Sequence, residues 1–114
     1  MDELIDQITA ATGVDPAIAR QATGIIINFL SNEGPADAVK AVLDSLPGAR
    51  DLAAETDGGL GGLMGTFGDL TVAGLDMGNI QGVATTIIDY ARAKAGSDKV
   101  DALIAGIPGL GQLV

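Results

Sequence analysis

The chain has 114 residues, with 6 basic and 15 acidic side chains, for a net charge of −9; that field repels a polyanion and argues against DNA or RNA as a partner. It contains neither Cys nor His, which excludes disulfides, thiolate nucleophiles and zinc fingers and removes the commonest general base and neutral metal ligand. Hydrophobic residues make up 47% of the chain but aromatics only 3%, so the core of the one domain this length allows must be Ile, Leu and Val packed over small residues.

Residues 2 to 11 read as a short helix with Leu4, Ile5 and Ile8 on one face and Asp2 and Glu3 in the first turn, where negative charge suits the helix dipole. Gly13 ends it as a left-handed cap. Asp15 is a good N-cap and Pro16 belongs at a first helical position, so a long helix follows to about Asn32, burying Ile18, Ala22, Ile25, Ile26 and Phe29. The β-branched run from Ile25 to Ile27 also suits a strand; the segment's length and its cap favour helix. Gly34-Pro35 breaks the chain and launches a third helix over about 36 to 45, with Val39, Val42, Leu43 and Leu46 inward. Pro47-Gly48 makes a corner, and residues 49 to 54 form one more turn that returns Leu52 to the core.

Residues 55 to 62 read as a flexible, Gly-rich linker. Residues 63 to 72 are expected to repeat the first short helix, although Gly65, Gly68 and Thr71 are poor helix formers. Asp76 caps a second long helix over about 77 to 95 that carries Ile80, Ala84, Ile87, Ile88 and Ala91, with Arg92 and Lys94 near its C-terminus. Gly96 ends it and Ser97 or Asp98 caps the next, whose inner face holds Val100, Leu103, Ile104 and Ile107. Pro108-Gly109 turns the chain, and Leu110 and Leu113 close it. The amino terminus is acidic where a secretory signal would be basic, and the longest uncharged run, Ala102 to Val114, has 13 residues and is too short to span a bilayer; a cytoplasmic location is expected.

The chain also repeats itself. Sliding residues 9 to 52 onto 70 to 113 aligns ten identities without a gap: Gly13/Gly74, Asp15/Asp76, Ile26/Ile87, Ile27/Ile88, Asp37/Asp98, Val39/Val100, Ala41/Ala102, Pro47/Pro108, Gly48/Gly109 and Leu52/Leu113. Composition alone would give about four at one offset. The substitutions decide the matter, because Val14 faces Leu75, Phe29 faces Tyr90, Val42 faces Leu103 and Leu46 faces Ile107, keeping apolar with apolar. The reading is an all-α helical bundle built from two tandem repeats of about 50 residues, 1–54 and 63–114, related by a pseudo-twofold axis. Asp15, Pro47, Gly48, Asp76, Pro108 and Gly109 define the repeat.

Chemistry is hard to find. Ser31, Ser45 and Ser97 have no histidine to activate them, and no spacing links a serine to Lys40, Lys94 or Lys99 as base. No pair of carboxylates stands out as acid and base. The run Gly58 to Gly62 lacks the spaced aspartate of calcium-binding nonapeptides, no Gly-Lys-Ser/Thr makes a phosphate loop, and the Gly-x-x-x-Gly spacings from Gly58 to Gly82 lie in a segment broken by Asp69 and Asp76. No enzyme activity, cofactor or metal is expected.

The Gly-[Val/Leu]-Asp cap, the Leu46-Pro47-Gly48 and Ile107-Pro108-Gly109 endings and the leading Met1-Asp2-Glu3-Leu4-Ile5 resemble small bacterial proteins of the VcgC/VcgE type. That family has no established activity, so the resemblance implies helices and no mechanism. Glu3-Leu4-Ile5-Asp6 and Gly13-Val14-Asp15 are also similar to the first helices of histone-like HU proteins, whose β arms and basic charge this chain lacks. The expected function is therefore a non-enzymatic acidic module that acts by self-association or by binding another protein, with Ile26, Ile27, Phe29, Ile87, Ile88 and Tyr90 as candidate interface residues. Alternatives are a carrier holding an apolar small molecule or lipid between the repeats, where the same residues would line it, and peripheral attachment to a membrane, which the charge of −9 opposes.

Overall fold

The computed structural model describes residues 1–107 and 109–112. Among them are seven α-helices, α1 (Asp2–Thr12), α2 (Pro16–Glu33), α3 (Ala36–Asp44), α4 (Ala49–Glu55), α5 (Gly62–Val72), α6 (Met77–Ala95) and α7 (Ser97–Ala105), then a 3-10 turn, Leu110–Gln112, and no strand. The readings that concern Pro108 and Leu113 lie outside the described residues.

Local chemistry sets most of these boundaries. The Asp15 carboxylate accepts the Ala17 N–H at 2.9 Å and the Asp76 carboxylate accepts the Asn79 N–H at 2.8 Å, so each long helix begins with an occupied cap. Gly13 closes α1 at φ 75°, with its N–H on the Thr9 carbonyl. The junction of α6 and α7 differs from the sequence reading. Gly96, not Ser97 or Asp98, is the N-cap of α7; no side chain caps that helix, and the chain passes from one helix to the next through this single residue at φ 95°. A hinge one residue long leaves no room for a Ser or Asp in extended geometry ahead of the first turn.

The short helices dock crosswise. α1 packs most closely on α6 and also on α2, whereas α5 packs on α2 and touches α6 only lightly; α3 lies against α7, and α4 against α2. Gly82 of α6 brings α1 close, since a Cβ there would sit 2.8 Å from the Thr12 methyl. The core between these layers holds Leu4, Ile8, Ile25, Ile27, Val42, Leu70, Val83, Ile87, Val100 and Leu103, all nearly inaccessible. Each large member contributes on the order of 1.5–3 kcal/mol by leaving water. On α2, Ala22, Ile25, Ile26 and Phe29 are buried as the sequence reading has them; Ile18 is only half-buried, and Ala19 beside it is fully buried.

The Gly-rich connection, residues 56–61, lies against α2 rather than swinging free. The Asn28 amide donates to the Thr56 carbonyl at 2.9 Å, and the Gly59 N–H donates to the Asp69 carboxylate at 2.9 Å. Gly24 leaves the space into which Thr56 packs, and a Cβ on Gly59, at φ 79°, would collide with the Ile25 carbonyl oxygen. Glycine here serves close approach to a helix backbone, a role that composition alone does not separate from flexibility.

Candidate functional site

The six residues singled out as a candidate interface are all buried. Ile26, Ile27, Phe29, Ile87, Ile88 and Tyr90 are between 1% and 8% exposed. The gap that remains between the two long helices and their α3 and α7 neighbours, lined by Ile27, Leu30, Val42, Leu46, Ile87 and Leu103, is about 10 Å³, no more than a single water could occupy. These side chains are core, and a lipid or partner could reach them only if the helices parted. The repeat-defining residues are structural as well: Asp15 and Asp76 cap helices, and Pro47 and Gly48 form an exposed corner, with Gly48 at φ 85° and the Met1 amino group 3.4 Å from the Pro47 carbonyl.

Open apolar surface is found elsewhere. A cleft of about 210 Å³ runs between α5 and α6, with Phe67 on one wall, Met77, Gly78, Gln81 and Ala84 on the other, and Ile80 and Leu110 at the base. Met64, one turn before Phe67 on α5, is 79% exposed, and Met77 is 66% exposed. The cleft exists because α5 is drawn away from α6: Thr66 and Leu70 bury against the core, and Asp69 holds the strap at Gly59. Among the described residues Gln81 supplies the only polar side chain of the lining, so those residues offer shape and apolar contact and no nucleophile, acid or base.

A second cleft lies between α1 and α2, lined by Asp2, Ile5, Asp6, Pro16, Ala17 and Arg20, wider at about 330 Å³. The 61-residue offset pairs its residues with those of the first: Asp6 with Phe67, Pro16 with Met77, Ala17 with Gly78 and Arg20 with Gln81. Extending the offset along α1 pairs Asp2 with Leu63 and Glu3 with Met64. One corner of the molecule therefore presents Asp2, Glu3, Asp6 and Arg20, and the corresponding corner presents Leu63, Met64, Phe67 and Gln81. This contrast was readable from the sequence had the alignment been carried back from residue 9 to residue 2.

Charge is distributed accordingly. Arg20 pairs with Glu55 at 2.5 Å, Arg92 with Asp101 at 2.7 Å, and Lys94 stands 5.5 Å over the Tyr90 ring. Lys40 and Arg50 both engage Asp44, whose carboxyl they hold below its ordinary range by side-chain hydrogen bonds, Lys40 foremost. Residues 51 to 91 contain no Lys or Arg and six acidic residues, so the α5–α6 cleft sits in the anionic part of the chain. The Asp76 carboxylate borders it, 3.5 Å from where a Cβ on Gly78 would be. Among the described residues no three Asp or Glu side chains converge as a metal site, and no helix is long and apolar enough to cross a membrane.

No family model, curated protein or solved structure matches the chain.

Proposed function

We propose that this protein is a non-enzymatic, acidic, cytoplasmic binding module built from two copies of one helical unit closed on each other about a pseudo-twofold axis, and that it holds a protein partner in the α5–α6 cleft. Element boundaries support the duplication: α3 spans Ala36–Asp44 and α7 spans Ser97–Ala105, and 97 − 36 and 105 − 44 both equal 61. So does the crosswise docking, in which α1 rests on α6 and α5 on α2 while α3 meets α7. Self-association, in this reading, has been internalised: the face a lone unit would offer to a second copy is already covered within one chain.

The observation that carries the binding reading is the contrast between the clefts. The α1–α2 corner manages with Glu3 and Pro16, so the fold does not need Met64 and Met77 at the equivalent corner, and exposed apolar residues that folding does not need point to contact with something else. The test is a double variant that gives one corner the other's residues, Met64→Glu with Met77→Pro. Wild-type protein is expected to enhance Nile red fluorescence, and the variant to lose most of that signal while keeping its helical circular dichroism. Equal dye binding by both would remove the cleft as the site.

A second reading, a carrier of a small apolar molecule, draws on the apolar lining of the same cleft. Native mass spectrometry of protein purified from its source is then expected to show a bound adduct, and repeated absence of one would leave the protein-binding reading alone.

A further inference from the structure

Resting on the proposal that the α5–α6 cleft is a binding site, we infer that its occupant is an amphipathic helix of another protein, apolar on the seated face and carrying Lys or Arg along its margins. Three observations select it. The cleft, at about 210 Å³, is smaller than the roughly 300–1,000 Å³ that encloses a free small ligand, but it accommodates one or two large side chains presented by a helix. Its α6 wall begins with the exposed Met77, and Met64 stands exposed one turn before the lining residue Phe67 on α5; methionines are unbranched and polarizable, repack around different apolar anchors, and suit the recognition of a helix laid in a groove.

Charge chooses among the apolar helices. Neither the cleft lining nor any residue from 51 to 91 is basic, Asp76 borders the cleft, and the chain as a whole is at −9. A second copy of the chain would bring another −9, and an anionic bilayer would be repelled in the same way; a helix edged with cations is attracted, and its encounter is accelerated.

The experiment measures fluorescence anisotropy of two labelled Leu-rich amphipathic peptides of about 18 residues, five turns of helix, identical on the apolar face and carrying Lys in one and Glu in the other. The Lys peptide is expected to bind at least about tenfold more tightly than the Glu peptide, and Met64→Glu/Met77→Pro is expected to weaken the Lys peptide by about tenfold or more. That loss is diagnostic, because Met64→Glu makes the protein more acidic and would strengthen a purely electrostatic association. An Asp6→Asn variant at the other corner is expected to bind within about twofold of wild type. Equal binding of both peptides, abolished by the double variant, overturns the cationic partner while leaving the cleft as a site. Binding of the Lys peptide that is unaffected by the double variant overturns the seating of the helix in the cleft. A Met64- and Met77-dependent dimer in light scattering identifies the occupant as a second copy, and Met-dependent flotation with phosphatidylcholine vesicles identifies it as a membrane; either overturns the inference. Failure of both peptides and of Nile red removes the inference together with the binding site on which it rests.

Discussion

The α1–α2 corner and the α5–α6 corner are made from segments 61 residues apart, yet they put opposite surfaces into water. At the first, α1 lies close on both α6 and α2, and its outer face carries Asp2, Glu3 and Asp6. At the second, α5 buries Thr66 and Leu70, packs on α2 and touches α6 only lightly, with Phe67 in the gap and Met64 exposed beside it. Several core and capping residues are kept in both places: Ile26 and Ile87 are both buried, as are Leu46 and Ile107, and Asp15 and Asp76 both cap. Differences fall at exposed pairs such as Glu3 and Met64 and also at buried positions, where Ile8 stands opposite Asp69 and Ile25 opposite Thr86, in keeping with the different docking of α1 and α5. Comparison across the 61-residue offset thus singles out exposed side chains at one corner that have no apolar counterpart at the other.

The comparison breaks most readily in the core. Ile26→Ala and Ile87→Ala are each expected to lower unfolding free energy by about 2–5 kcal/mol, as are Leu46→Ala and Ile107→Ala, with the two members of each pair close to one another. Denaturant unfolding checks this, and a pair in which one member costs less than about 1 kcal/mol would mean that the halves do not share a core plan. Glycines in the second half give a test of sign. Gly59→Ala places a Cβ against the Ile25 carbonyl at positive φ and is expected to destabilise by about 2 kcal/mol or more, whereas Gly65→Ala, inside α5 with nothing within 4 Å of the new methyl, is expected to stabilise by about 0.5–1 kcal/mol.

Smaller effects sharpen the contrast. Asp15→Ala and Asp76→Ala each remove one cap bond and are expected to cost about 1 kcal/mol apiece in the same assay. Met64→Glu/Met77→Pro alters exposed side chains and puts Pro at the first position of α6, where Pro16 already stands in α2, so its stability is expected to stay within about 1 kcal/mol of wild type. The smallest effect concerns Asp44. Its carboxyl is held low by Lys40 and Arg50, so the charged form contributes stability above the ordinary carboxylate range, and that contribution disappears as pH falls through the depressed folded-state value. Asp44→Asn is expected to melt slightly below wild type at neutral pH and low salt and to converge with it in acid, or in high salt, which screens an exposed pair.

Elements set by local chemistry were legible in the sequence. Asp15-Pro16 fixes the start of α2, Gly34-Pro35 the start of α3 and Pro47-Gly48 the corner before α4, because caps and prolines act within one turn and need no partner. α5 was harder, since Gly65, Gly68 and Thr71 weaken its intrinsic preference; it is helical because Thr66 and Leu70 bury their side chains, a tertiary contribution. The candidate site was not legible at all from apolar periodicity. That signal selects residues such as Ile26 and Ile87, which fill the core, whereas Met64 and Met77 stand off the buried stripe and the cleft depends on the lean of α5.

The covalent strap over residues 56–61 has a last consequence. In an assembly of identical subunits every substitution is made as many times as there are subunits, so an adhesive patch acquired by one is acquired by all, and patches that do not close on one another invite open-ended polymers. On the proposed duplication, halves joined head to tail in a single polypeptide would escape that rule, and the molecule would carry one apolar, adhesive corner and one charged corner at the same time.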